Sequence, residues 1–152
     1  MVTVGKRIAN FKLPATGDKY LTRDDFKGKK LVLYFYPKDH TPGCTRESQD
    51  FRDAQARFSK AGAVVVGVSR DSVKTHENFR EKQALPFDLI SDADEVLCRA
   101  FDVIREKSLY GRKYMGVDRS TFLIDEGGVL RAEWRGVRVP GHVEEVLQAL
   151  DA

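Results

Sequence analysis

The 152 residues are 41% hydrophobic and 32% charged, the makeup of a soluble globular protein long enough for one domain (1–152) with a real core. The formal charge of +3 is spread along the chain. Its basic clusters, Lys27, Lys29 and Lys30 and then Arg131, Arg135 and Arg138, are diluted by acids, which argues against a nucleic-acid partner.

No apolar run approaches the roughly 20 residues of a membrane span. Met1 to Lys6 lacks the charged start and apolar core of a signal peptide, so the expected location is cytoplasmic, with no membrane partner. The two cysteines, Cys44 and Cys98, are too few for a disulfide scaffold.

The chain opens with a short alternating piece through Ile8, Phe11 and Leu13. A turn at Gly17-Asp18 and a second short strand at Tyr20-Leu21-Thr22 then predict an N-terminal hairpin. Leu31 to Tyr36 is continuously apolar and stops at Pro37, the pattern of a strand buried on both faces. Thr45 to Lys60 has helical spacing. Ser48, Phe51, Ala54 and Phe58 lie on its inner face; Glu47, Asp50, Arg52, Asp53 and Arg57 lie on the other.

Ala63 to Ser69 is a second buried strand, and strand–helix–strand implies a right-handed crossover and a parallel pair. Ser72 is the expected N-cap of a helix to Gln83. A short strand follows at Phe87 to Ile90. Ser91-Asp92-Ala93-Asp94 has the spacing of a helix start ahead of Val96, Leu97, Ala100 and Phe101. Ser108 to Gly116 reads as an irregular loop. Ser120 to Ile124 and Val129 to Trp134 flank Asp125-Glu126-Gly127-Gly128 as a hairpin, and an amphipathic helix follows Pro140-Gly141. The sum is an α/β, thioredoxin-like fold: a mixed central sheet flanked by helices, with an N-terminal β-hairpin extension.

In such folds functional groups gather at the C-terminal ends of strands, and Cys44 follows one directly. A free thiol is only about 3% thiolate at pH 7, and the thiolate is the nucleophile. The start of a helix offers unpaired N–H groups and partial positive charge. It supplies about 0.3–2 kcal/mol, whereas moving a thiol by three pH units takes about 4 kcal/mol. A further cation or hydrogen-bond donor is therefore needed. Thr41 offers a hydroxyl nearby, and Pro42-Gly43 leaves little bulk over the sulfur. Thr41-Pro42-Gly43-Cys44 stands where a thioredoxin carries Cys-x-x-Cys, so dithiol exchange within the turn is excluded. His40 and Cys44 do not suggest a metal site: Pro42 lies between them and no further ligands are evident.

Pro37-x-x-x-Thr41-x-x-Cys44 resembles the peroxiredoxin signature. The longer Tyr36-Pro37-Lys38-Asp39-His40-Thr41-Pro42-Gly43-Cys44-Thr45 resembles its peroxiredoxin Q subfamily, also called bacterioferritin comigratory protein. Gly5 to Thr16 and Gly116 to Asp125 look like two further segments of that subfamily. The resemblance implies a thiol peroxidase, acting on hydrogen peroxide and organic hydroperoxides without metal or organic cofactor. Cys44 would be the peroxidatic cysteine, passing through a sulfenic acid. Thr41 would hydrogen-bond thiolate and peroxide, Arg119 would be the missing cation, and Pro37 would shield the sulfur. The subfamily is mostly monomeric, and an exposed edge near the site leaves room for a weak dimer.

The pattern breaks at the second cysteine. Members of the subfamily place a resolving cysteine five residues after the first or on the helix after the second parallel strand. Those positions here are Gln49 and, by alignment, about Arg80. Cys98 reads as a core residue. The expectation is a one-cysteine cycle restored by an external thiol such as thioredoxin, glutaredoxin or glutathione; an intermolecular Cys44–Cys44 disulfide stays open. The alternative is a redox sensor or binding protein on the same fold.

Overall fold

The computed structural model describes residues 1–151. β1 (Lys12–Ala15) and β2 (Lys19–Thr22) form the N-terminal hairpin. β3 (Lys30–Phe35) leads to α1 (Pro42–Asp53) and α2 (Gln55–Lys60), then to β4 (Ala63–Ser69), parallel to β3. Next come α3 (Val73–Gln83), β5 (Leu89–Ser91), parallel to β4, and α4 (Val96–Ala100). A separate pair, β6 (Ile104–Leu109) and β7 (Arg112–Val117), precedes β8 (Ser120–Ile124), β9 (Leu130–Trp134) and α5 (His142–Leu150). The seven-stranded sheet runs β2-β1-β5-β4-β3-β8-β9. This is a mixed sheet with helices on both faces, the thioredoxin-like arrangement.

β3 sits inside that sheet, so both its faces are covered. Leu31, Leu33 and Phe35 enter one core layer, with Val66, Val68, Phe122 and, from α4, Leu97, Cys98 and Phe101. Val32, Tyr34 and Tyr36 enter the other, beneath Phe51 of α1, Phe58 of α2, Phe79 of α3 and Val146 of α5. Period-two alternation along the strand thus sorts side chains to two cores.

Several expectations need correction. The first helix begins at Pro42 rather than Thr45, and it breaks at Ala54 (φ −98°, ψ 6°) into two pieces. The fifth strand is Leu89–Ser91, which makes Ser91 a strand residue. Asp92 serves the start of α4 instead, accepting from the N–H groups of Leu97 (3.2 Å) and Cys98 (2.7 Å).

The largest change is at 108–116, which belongs to the β6–β7 hairpin rather than an irregular loop. Most of its residues are exposed, so no buried face imposed an apolar alternation. Its turn, Tyr110-Gly111, has positive φ at both positions (52° and 79°), the geometry of a type I′ hairpin turn.

Candidate active site

Register places the site. β3 and β8 run antiparallel with Phe35 opposite Ser120. The residue just before β8, Arg119, therefore arrives beside the end of β3, where the chain turns towards α1. That turn ends at Thr41, the N-cap of α1, in extended conformation (φ −87°, ψ 152°). Pro42 takes the first helical position, where its missing N–H costs nothing. Cys44 is third in the helix and only 1% exposed. Arg119 Nη2 donates to Cys44 Sγ at 3.3 Å. Gly43 makes this approach feasible, because a Cβ there would sit 3.2 Å from Arg119 Nη2.

The other guanidinium nitrogen, Nη1, donates to Glu47 Oε1 at 2.6 Å. The helical spacing predicts Glu47 on the outer face, but the side chain is fully buried. It lies three residues after Cys44 and so shares a face with it. Its Oε2 has no hydrogen-bond partner. Burial pushes its carboxyl up to about 7, against the pull of Arg119 in the other direction. Burial alone would lower the pKa of Arg119, but Glu47 and Cys44 outweigh it and the guanidinium is raised. Lys107 is a second nearby cation. Burial lowers its pKa, Asp118 and Cys44 oppose the shift, and its ammonium donates to the Val117 carbonyl at 2.6 Å. Sequence reasoning passed over Glu47 and Lys107. The i, i+3 spacing from Cys44 was the available signal for the first; nothing local marked the second.

Thr41 is at the site with a different partner from the one expected: its hydroxyl donates to the Lys38 carbonyl at 2.7 Å. With its proton committed to Lys38, the Thr41 hydroxyl oxygen can take a further hydrogen bond only as an acceptor. Pro37 is half-buried at the start of the turn.

The description of the AhpC/TSA family matches residues 4–133, most of the chain. The chain belongs to this family. Within it, the peroxiredoxins named Bcp or peroxiredoxin Q are its close relatives. It is 51% identical to the putative peroxiredoxin Bcp of Coxiella burnetii over 149 residues, 98% of this chain and 99% of that one. It is 53% identical to peroxiredoxin Bcp of Xanthomonas campestris over 146 residues, 95% of this chain and 91% of that one. A solved structure of the Xanthomonas campestris bacterioferritin comigratory protein superposes with a TM-score of 0.88 at 51% identity, covering 93% of this chain and 90% of that one. That protein is described by its alkyl peroxide reduction activity, through trapped intermediate and ligand complexes.

Against that family background, the positions expected for a resolving thiol have other occupations in this peroxiredoxin. Gln49 donates to Gln83 Oε1 at 2.9 Å, tying α1 to α3. Arg80 is half-buried and lies 3.8 Å from Asp88. Cys98 is fully buried in the core layer on the far side of the sheet from Cys44. Burial, reinforced by Asp92, pushes its thiol well up.

Proposed function

We propose that this peroxiredoxin reduces hydrogen peroxide and organic hydroperoxides with Cys44 as its peroxidatic residue, in a one-cysteine cycle. The observation that carries the reading is the 3.3 Å contact from Arg119 to the Cys44 sulfur at the first turn of α1. A guanidinium beside sulfur favours the anion over the thiol, and the helix N-terminus adds in the same direction. Arg119 thus stands where the helix N-terminus alone leaves a cation wanting.

The thiolate attacks the terminal oxygen of the hydroperoxide in line. A sulfur–oxygen bond forms as the oxygen–oxygen bond breaks, and the leaving alkoxide or hydroxide takes up a proton to depart as alcohol or water. Negative charge moves from sulfur towards the leaving oxygen, and Arg119 is placed to follow it. Glu47 fixes the other half of the guanidinium, so the fork cannot swing away. Thr41, whose hydroxyl proton is committed to Lys38, is left to accept a hydrogen bond from the incoming peroxide. Pro37 shields the sulfur at the mouth of the turn.

The sulfenic acid then condenses with an external thiol, releasing water and leaving a mixed disulfide. A second thiol attacks that disulfide and restores Cys44. The placement of Cys98 across the sheet and the residues at Gln49 and Arg80 support an external donor, whether thioredoxin, glutaredoxin or glutathione. The reading suits a reducing compartment, in which both cysteines stay free. Among the described residues no helix is long and apolar enough to cross a membrane.

The test is a stopped-flow rate of Cys44 with hydrogen peroxide, paired with an intact mass after one equivalent of oxidant. The reading requires a rate far above that of a free thiolate, lost in Cys44→Ser, and a monomer that gains oxygen. A rate no faster than a free thiolate rejects the peroxidase. A monomer lighter by two hydrogens would reveal a Cys44–Cys98 bond and reject the one-cysteine cycle.

A further inference from the structure

Behind the turn that carries Cys44 lies a group of buried polar side chains that the peroxide chemistry does not use. Asp39 is five residues before Cys44 and is 3% exposed; His76, in the first half of α3, is fully buried. Asp39 Oδ2 lies 2.6 Å from His76 Nδ1. Its other oxygen accepts the Tyr36 hydroxyl at 2.6 Å. The far ring nitrogen of His76 is 2.9 Å from the Ile90 carbonyl. The Asp39 N–H donates to Asp71 Oδ2 at 2.9 Å, and the Ser69 hydroxyl donates to the same oxygen.

Both ring nitrogens of His76 thus face acceptors, one a carboxylate and one a carbonyl. The pair is buried, and both ring nitrogens are engaged within the protein. Ligand-type atoms of Asp39, Asp71 and His76 do come within 4.8 Å of one another. With both nitrogens turned to protein acceptors, the group is built as a clamp between chain segments.

What it clamps is the approach to Cys44. His40, next after Asp39, sits in the left-handed region (φ 64°), and its ring meets Phe79 of α3 edge-on at 5.2 Å. Asp39 and His40 therefore dock on His76 and Phe79, which share one face of α3. From there only Thr41, Pro42 and Gly43 intervene before Cys44.

We infer that the Asp39–His76 pair positions Cys44 by holding its turn on α3, and so keeps the sulfur sealed against Arg119. The inference deepens the peroxidase reading and rests on it. The two halves of the cycle make opposite demands on this clamp. The peroxide step needs the sulfur held at Arg119, whereas the reductant must reach a sulfur that is 1% exposed. Loosening the clamp should slow the first step and speed the second. Mere structural damage would move both steps the same way.

The experiment uses the full chain as wild type, His76→Gln, Asp39→Asn and the double variant; Asp39→Asn preserves shape should His76→Gln fold poorly. Stopped flow measures the reaction of reduced protein with hydrogen peroxide. A second mixing measures the reaction of the pre-formed sulfenic acid with β-mercaptoethanol. Labelling of reduced Cys44 by N-ethylmaleimide gives accessibility apart from peroxide chemistry. Each single variant should lose about tenfold or more in the peroxide step, as misplacement of a reacting group does. Each should gain several-fold in the thiol step and in labelling, and the double variant should match the singles. Both steps slowing together, or neither moving, overturns the clamp. A wild type no faster with peroxide than a free thiolate defeats the peroxidase reading instead, and labelling still decides whether the pair seals the sulfur.

Discussion

Replacing Glu47 by glutamine tests the electrostatics of the site more sharply than removing the cysteine. Glu47 is buried, one of its oxygens has no partner, and its carboxyl is pushed from the ordinary 4.5 up to about 7. Between those values the folded protein keeps a proton that the unfolded chain has released. The group's favourable contribution is therefore complete below pH 4.5, declines as pH rises, and is gone above about 7. At about 1.4 kcal/mol per pH unit, that rise costs about 3 kcal/mol of stability at pH 8. Glutamine cannot ionise, so Glu47→Gln removes this slope. The difference in unfolding free energy between variant and wild type should shift by about 3 kcal/mol in favour of the variant from pH 4.5 to pH 8. Urea melts at a series of pH values read it directly. The offset at pH 4.5, where both folded side chains are neutral, reports the exchange of a carboxylic hydroxyl for an amide beside Arg119, and the slope reports the carboxyl. Parallel curves across that window would refute the argument, because Glu47 would then be as easily ionised in the folded chain as in the unfolded one.

Arg119→Ala should slow the reaction of Cys44 with peroxide by about a hundredfold or more, the scale of losing one preorganised charge donor; stopped-flow kinetics read it, and a near-normal rate would remove Arg119 from the mechanism. Gly43→Ala puts a methyl 3.2 Å from Arg119 Nη2 and should lower the same rate several-fold with little change in the urea midpoint. Gly111→Val forces a β-branched residue into a positive-φ turn position and should destabilise the β6–β7 hairpin by about 1 kcal/mol or more, seen as faster amide exchange over 104–117. Cys98→Ala should leave steady-state peroxide turnover unchanged with any thiol donor, and a fall in turnover at normal stability would give Cys98 a part in the cycle.

Strands with both faces buried were the most legible features of this sequence. Leu31 to Tyr36 and Ala63 to Ser69 are bounded by sharp changes in polarity, and the second matches β4 residue for residue. The hairpin β6–β7 left no such mark, because its register is fixed by a turn and by backbone pairing rather than by a buried face. At the site, spacing along one helix showed where a thiol meets a dipole, but contacts across the fold were hidden. Arg119 could be named from the family pattern. That it lies beside Cys44 follows from the pairing of Phe35 with Ser120, a long-range register no local window contains. Glu47 misled for a related reason. Charged residues are seldom buried unless paired, and its partner lies 72 positions away.

The two cysteines show why burial alone does not decide what a thiol can do. Cys44 is 1% exposed and Cys98 is 0% exposed, so solvent access hardly separates them. Each also sits within the first turn or so of a helix. Their charged neighbours differ in sign. Cys98 has the Asp92 carboxylate beside it, accepting from its own backbone N–H, and a thiolate there would face both burial and a like charge. Cys44 has the Arg119 guanidinium, braced by Glu47 from the other side. In each case the helix terminus is already engaged by an anion: at α4 by Asp92, and at α1, on the reading proposed above, by the thiolate itself. On the reading proposed above, the same local scaffold silences one sulfur and arms the other, and the choice is made by which ionic side chain the sheet delivers to the helix start.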